Sequence, residues 1–241
     1  MKLAPSLHRI GNDIIAAYLV EADGGLTLID AGVAGQWSDL AAELAAMGRS
    51  LSDISDVILT HGDTDHVGFA ERLHRDHGVP VYVHEADAPR ARGEQRKSNA
   101  GAGPMKIGPL LGFLWYAGRK GGLRNTWLKE VEAVSDAATL DLPSNPRIVH
   151  VPGHTPGSIA VHVPAVDAVF VGDAMTTRNV LTGVTGPAPA PFTLDAAQAI
   201  ESLAKIESLG VSWVLPGHGP PWNGGVADAV RRVRAASSRS L

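Results

Sequence analysis

The sequence predicts a mixed α/β domain, and three observations carry that prediction. Apolar residues fill Asp13 to Ala22 and Leu26 to Asp30 on either side of Asp23-Gly24-Gly25, the pattern of two antiparallel strands joined by a tight turn. Short apolar runs recur further along the chain, several of them ending in polar loops that contain Gly. Between the runs lie stretches whose apolar residues repeat with the period of an amphipathic helix.

After the hairpin, Leu40, Leu44 and Met47 mark a helix from Ser38 to Met47, with Ser38 as N-cap and Gly48 as C-cap. Val57-Ile58-Leu59 reads as a buried strand, Thr60 to Asp65 as a loop, Val67 to His77 as a helix and Pro80 to Val83 as a strand. Residues 88 to 130 break this rhythm with many Gly, basic residues and an aromatic run, which reads as an insertion. Strands resume at Arg147 to Val151, Ser158 to Val163 and Ala168 to Val171. Leu194 to Leu209 is periodic enough for one helix, Val211 to Leu215 for a strand and Val226 to Ala236 for a closing helix. With no linker-like or repeated segment, the expectation is one domain over residues 1 to 241.

Composition removes some chemistries. Cysteine is absent, so neither a disulfide nor a thiolate ligand or nucleophile is available, and any metal site must be built from His and carboxylates. The N-terminal residues lack the apolar core of a signal peptide, and the longest apolar stretch, Ile107 to Gly118, is too short to span a bilayer. A cytoplasmic protein without a membrane span is expected. Net charge is −4 but uneven: residues 90 to 129 hold nine Lys or Arg and one acid, Glu94, leaving 12 bases and 24 acids elsewhere. That acidic remainder argues against a nucleic-acid partner.

One constellation carries chemistry. The loop after the Val57 strand is His61-Gly62-Asp63-Thr64-Asp65-His66, four His or Asp within six residues. Carboxylates held that close repel unless a cation or proton intervenes. Three further candidates follow apolar strands: His154 in Pro152-Gly153-His154, Asp173 in Gly172-Asp173 and His218 in Gly217-His218-Gly219. Strand ends are where ligand sites form in layered α/β proteins, and the flanking glycines permit turns that aim side chains into a shared pocket.

These residues resemble the metallo-β-lactamase fold superfamily, whose signature is a Thr-His-x-His-x-Asp-His loop followed by a distant His, Asp and His. The matching stretches are Thr60 to Gly68, Pro152 to Ser158, Phe170 to Asp173 and Leu215 to Pro220, with Leu28 to Gly32 similar to the family's early strand and turn. The resemblance runs from about residue 10 to 222. It implies a four-layer αββα sandwich with metals at one edge of two packed sheets. It also implies that His61, Asp63 and His154 hold one ion, that Asp65, His66 and His218 hold a second, and that Asp173 bridges them. Zinc, two ions of it, suits such nitrogen and oxygen ligands, and a zinc-bound water ionising near a pKa of about 7 supplies the hydroxide nucleophile. Asp65 is then the catalytic residue that orients this nucleophile and accepts a proton.

The chain departs from the pattern at Asp63, where most members have His. A carboxylate is harder than imidazole and raises the claim of iron or manganese. The function implied is metal-dependent hydrolysis of an ester, thioester, lactone or amide. Two alternatives are an iron-dependent, persulfide dioxygenase-like oxidation and a non-catalytic binding module. Asp30 is expected to brace the metal loop by hydrogen bonds, and His84 to stand at the pocket wall. His8, His74, His77, His150 and His162 match no ligand position. In the insertion, Phe113-Leu114-Trp115-Tyr116 with nearby Lys106, Arg119 and Lys120 reads as a lid for a small-molecule substrate with apolar and anionic parts.

Overall fold

A computed structural model describes residues 1–95, 101–122 and 126–238. The strands in chain order are β1 (Lys2–Ala4), β2 (Leu7–Gly11), β3 (Ala16–Ala22), β4 (Gly25–Ile29), β5 (Ile54–Ile58), β6 (Val81–His84), β7 (Glu132–Val134), β8 (Arg147–His150), β9 (Ile159–Val163), β10 (Ala168–Gly172), β11 (Thr176–Arg178), β12 (Thr185–Ala188) and β13 (Trp213–Pro216). The helices are α1 (Trp37–Met47), α2 (Thr64–Val67), α3 (Ala70–His77), α4 (Ala88–Ala91), α5 (Ile107–Arg119), α6 (Ala196–Ser202), α7 (Ala204–Glu207) and α8 (Val226–Ser237).

Strands β1 to β7 form one sheet in sequence order, antiparallel through β4 and parallel from β4 to β7. A second sheet has the order β13-β10-β9-β8, and β11 pairs with β12. Alternation along each strand sends side chains to opposite faces. In β3, Tyr18 and Val20 face the core shared by the two sheets, while Ala17 and Leu19 face a second core with Leu40, Leu44 and Leu73 of the helices α1 and α3. In β10, Ala168 and Phe170 face the shared core, and Val169 and Val171 face a third core with Leu203, Ile206, Val230 and Val233. Three apolar layers between helix, sheet, sheet and helix make the αββα sandwich that the resemblance implies.

Several element boundaries differ from the sequence reading. Helix α1 begins at Trp37 with Gln36 at its N-cap; Ser38 lies inside the first turn, where its Oγ donates to Gly35 O at 3.1 Å. Gly48 does close the helix in the left-handed region, at φ 69°. The segment 67–77 is not one helix: Gly68 N and Phe69 N donate out of it, to Gly32 O at 2.9 Å and Ala31 O at 3.2 Å, and a Cβ at Gly68 would sit 2.3 Å from Gly32 O. The segment 194–209 divides into α6 and α7, and α6 starts where Asp195 Oδ1 accepts from Gln198 N at 2.9 Å. The unforeseen β2 buries His8 and Arg9, whose side chains meet Glu43, Asp13 and the Gly219 carbonyl.

In the 88–130 segment, residues 96–100 and 123–125, including Arg96, Lys97 and Arg124, lie outside the described residues. The rest contains α4 and α5. Helix α5 is tied to the body: Gln36 Nε2 donates to Tyr116 Oη at 3.2 Å, Lys120 Nζ to Asp39, and Gly35 N to Lys120 O at 2.7 Å.

Candidate metal centre

Strands β5, β10 and β13 deliver their C-terminal ends to one edge of the sandwich. The loop after β5 and the first turn of α2 carry His61, Asp63, Asp65 and His66. The turn after β8 carries His154, and Asp173 and His218 follow β10 and β13. Gly217 permits this convergence, since a Cβ there would lie 2.4 Å from His66 Cε1 and 2.9 Å from Asp173 Oδ1. Gly172, at φ 49°, similarly leaves room for the Thr60 side chain.

The seven side chains fall into three overlapping groups: His61, Asp63 and His154; Asp65, His66 and His218; and His61, His66 and Asp173. Within each group the ligand-type atoms lie within 4.8 Å of one another. Asp173 stands between the first two, with Oδ1 at 3.7 Å from His66 Nε2 and Oδ2 at 3.7 Å from His154 Nε2 and 3.3 Å from His218 Nε2. His218 Nε2 is also 3.4 Å from Asp65 Oδ2. His61 Nε2 is 3.8 Å from Asp63 Oδ2.

Hydrogen bonds around the centre determine which imidazole nitrogen faces it. His66 Nδ1 donates to Asp30 Oδ2 at 2.7 Å, and His218 Nδ1 donates to the Ile14 carbonyl. Thr60 Oγ1 gives its proton to Asp30 and so accepts from His61 Nδ1 at 3.1 Å. Thr193 Oγ1 gives its proton to Ala190 O and accepts from His154 Nδ1 at 3.2 Å. All four rings are therefore held by Nδ1 with Nε2 turned toward the centre, the nitrogen a metal would take. His61 Nε2, His66 Nε2 and Asp173 Oδ1 are buried and without a hydrogen-bond partner among the described residues. Such orphaned acceptors are costly unless a cation satisfies them, so the donor set fits metal ions.

Charge tells the same story. Burial opposes ionisation of Asp63, Asp65 and Asp173, yet contacts with His154, His61 and Arg90 for Asp63, with His218 and His66 for Asp65, and with His218, His154 and His66 for Asp173 hold each well below the usual carboxylate range. Burial likewise opposes charge on His66, but Asp30 and Asp173 outweigh it and raise its pKa to about 9. His61, buried beside His66 and His154, is pushed down instead. The carboxylates want positive charge, and protons on buried histidines are a poor substitute for divalent ions.

Asp30 braces the loop as expected, accepting also from Thr60 N at 2.7 Å. Asp87 was not foreseen. Fully buried, it accepts from Gly62 N, Thr155 Oγ1 and Gly157 N, each at 2.8 Å, and so joins the loop of His61 to the loop of His154. Also unforeseen is Arg90, whose Nε donates to Asp63 Oδ1 at 2.6 Å. His84 does not reach the pocket wall; its ring stacks on His150 at 4.1 Å between centroids. Of the expected non-ligands, His8 meets Glu43, His74 meets Val79 O, His77 stacks on Trp37 and His150 stacks on His84, while His162 lies in β9 away from the centre with its Nδ1 unpartnered among the described residues.

A cavity of about 300 Å³ opens over the centre. Asp63, Asp65, His154, Asp173 and His218 line its floor, and Phe113, Leu114 and Ala117 of α5 face Val180, Pro191 and Phe192 across it. Lys106, Arg119 and Lys120 do not line it, and Arg90 is the one Lys or Arg among the described residues that does.

The sequence profile of the metallo-beta-lactamase superfamily matches residues 10–218. The chain is 26% identical over 238 residues to the probable metallo-hydrolase YflN of Bacillus subtilis (strain 168), covering 92% of this chain and 86% of that protein. A metallo-beta-lactamase family protein of Thermus thermophilus shares the fold with a TM-score of 0.72 and 21% identity, over 99% of this chain and 81% of its own. TTHA1623, solved in a di-iron-bound form, matches with a TM-score of 0.63 and 27% identity over 94% of this chain and 97% of that one.

Proposed function

The chain belongs to the metallo-β-lactamase superfamily, and from that premise we propose that it is a hydrolase using two metal ions, zinc by preference, to cleave an ester, thioester, lactone or amide bond of a small molecule. The observation that carries this reading is the inward convergence of four Nε2 atoms and three carboxylates, with three of those atoms buried and otherwise unpartnered. His61, Asp63 and His154 hold one ion, Asp65, His66 and His218 the other, and Asp173 lies between. When bound, the ions supply Lewis acidity and bring the pKa of a water toward about 7.

The chain's own residues account for the remaining requirements. Asp65 lies at the cavity floor with Oδ2 at 3.4 Å from His218 Nε2, where it would orient the attacking water and take up its proton. The water oxygen adds to the carbonyl carbon, the bond from that carbon to the leaving oxygen, sulfur or nitrogen breaks, and the proton passes to the leaving atom. The apolar wall from α5 and the Val180 to Phe192 segment suits an acyl or other apolar portion. In this reading the 88–130 segment is a lid. An anionic substrate portion has weaker support, because Arg90 already spends its Nε on Asp63.

A second reading is favoured by the di-iron-bound form of TTHA1623 and by the hard carboxylate at Asp63: an iron-dependent oxidation at the same residues. One experiment separates the two. Protein of known metal content is screened against esters, thioesters, lactones and amides, and against a persulfide with oxygen consumption monitored. The proposal expects hydrolysis by the zinc form that is lost in Asp65→Asn. Oxygen uptake by the iron form without hydrolysis by either form would reverse the choice.

A further inference from the structure

Asp63 gives the first ligand group one negative charge more than the family's usual His, and the structure places a cation directly against that charge. Arg90 sits on α4 with 9% of its surface exposed, and its Nε reaches Asp63 Oδ1 at 2.6 Å. The other carboxylate oxygen, Oδ2, points to His154 Nε2 at 3.5 Å and His61 Nε2 at 3.8 Å. One oxygen is thus committed to the guanidinium and one is left for the centre. Helix α4 is itself anchored at the centre's edge, because Asp87, its N-cap, holds both the Gly62 and Gly157 amides.

We propose that Arg90 is a positioning residue for the first metal site, holding Asp63 to ligation through a single oxygen and cancelling its charge, so that the Asp63 and Arg90 pair together replace a neutral imidazole. The inference rests on the reading that His61, Asp63 and His154 hold a metal. Arginine keeps its charge at any working pH, and its planar donors fix the orientation of a carboxylate where a flexible ammonium does so less well. The balance follows from the pair and not from either member. Changing Asp63 alone to His restores the commoner ligand but strands a buried guanidinium beside a divalent ion. Changing both residues removes the stranded charge.

The test is a zinc titration of the full chain against a chromophoric chelator, with manganese as competitor and bound metal counted, on wild type, Arg90→Gln, Arg90→Lys, Asp63→His and Asp63→His/Arg90→Gln. Outer-sphere partners commonly change metal affinity by about 10- to 100-fold. Asp63→His should bind its first-site zinc at least roughly tenfold more weakly than wild type, and the double variant should recover to within about threefold. Arg90→Gln should shift preference from zinc toward manganese by roughly tenfold, because a bare carboxylate is the harder ligand, and Arg90→Lys should remain nearer wild type. The proposal falls if Asp63→His binds zinc as tightly as wild type with Arg90 in place. Should Asp63→His not fold, an unchanged zinc-to-manganese preference in Arg90→Gln overturns it equally. Wild type without stoichiometric metal would sink the metal-site reading itself and this inference with it, whereas two tightly held ions with uncoupled variants would sink the role of Arg90 alone.

Discussion

Asp87→Ala probes whether the centre is held by its surroundings as well as by its ligands. Asp87 is fully buried, and truncation removes the acceptor of two backbone N–H groups, Gly62 and Gly157, and of the Thr155 hydroxyl. A buried donor left unsatisfied costs roughly 1 to 3 kcal/mol. The Thr155 hydroxyl keeps an alternative at Ser158 Oγ, 2.8 Å away, so the sum is nearer the two amides' share, about 2 to 6 kcal/mol. For a chain of this size that lowers the melting temperature by roughly 10 °C. The two loops that come apart carry His61 and Asp63 on one side and His154 on the other. The first metal site should therefore weaken by about 10- to 100-fold, while Asp65, His66 and His218 are less disturbed. Asn at this position keeps one acceptor oxygen and should recover part of the stability. Calorimetry of the metal-free protein and a zinc titration read the two effects separately. A melting temperature within about 2 °C of wild type, with unchanged first-site affinity, would refute the bracing argument.

Three further outcomes follow from the same geometry. Gly217→Ala places a methyl 2.4 Å from His66 Cε1, so second-site metal should be lost with the fold retained, as metal counting beside circular dichroism would show. Phe113→Ala and Leu114→Ala should raise KM for substrates with longer apolar portions while bound metal stays constant, and identical kinetics across a chain-length series would remove the lid from the account. Asp56 is buried with Oδ1 unpartnered among the described residues, and burial, against one hydrogen bond from Thr27, raises its pKa to about 7. A carboxyl raised in the folded state binds its proton there while the unfolded chain has released it, so stability falls as pH rises from about 4 through 7. Asp56→Asn should abolish that slope and gain about 2 to 4 kcal/mol at pH 8 relative to wild type, and parallel stability curves from pH 4 to 8 would contradict it.

The seven residues gathered at the centre were legible because their type is conspicuous in place: His and Asp at strand ends, several beside Gly, have few structural uses in such density. Strands β3, β5 and β10 were legible as apolar runs, but the runs are buried on both faces and so did not show the layers, which the family resemblance implied. Asp87, Arg90 and Thr193 left no such trace. Each acts on a partner 25 to 70 positions distant, and nothing local to an Asp before a short helix or an Arg in a basic segment marks it as a brace. Strand β2 was hidden because it buries His8 and Arg9, charged residues that a pattern-based reading assigns to the surface. Helix α5 was obscured by Gly108, Gly112 and Gly118, which weaken the helical signal in an apolar run whose fold is stabilised by docking to Gln36 and Asp39. The two divided helices show the same limit: the close approach of Gly68 to Gly32 is a tertiary fact.

The most direct measurement of the central claim is the number of metal ions bound by the full chain and by two ligand variants, one from each group, after exhaustive dialysis. Wild type should hold two ions per chain, His154→Ala should retain the ion of Asp65, His66 and His218, and His218→Ala should retain the ion of His61, Asp63 and His154, with hydrolysis severely reduced in both. A wild type that holds no tightly bound metal, or variants that keep both ions and full activity, would contradict the assignment of this centre.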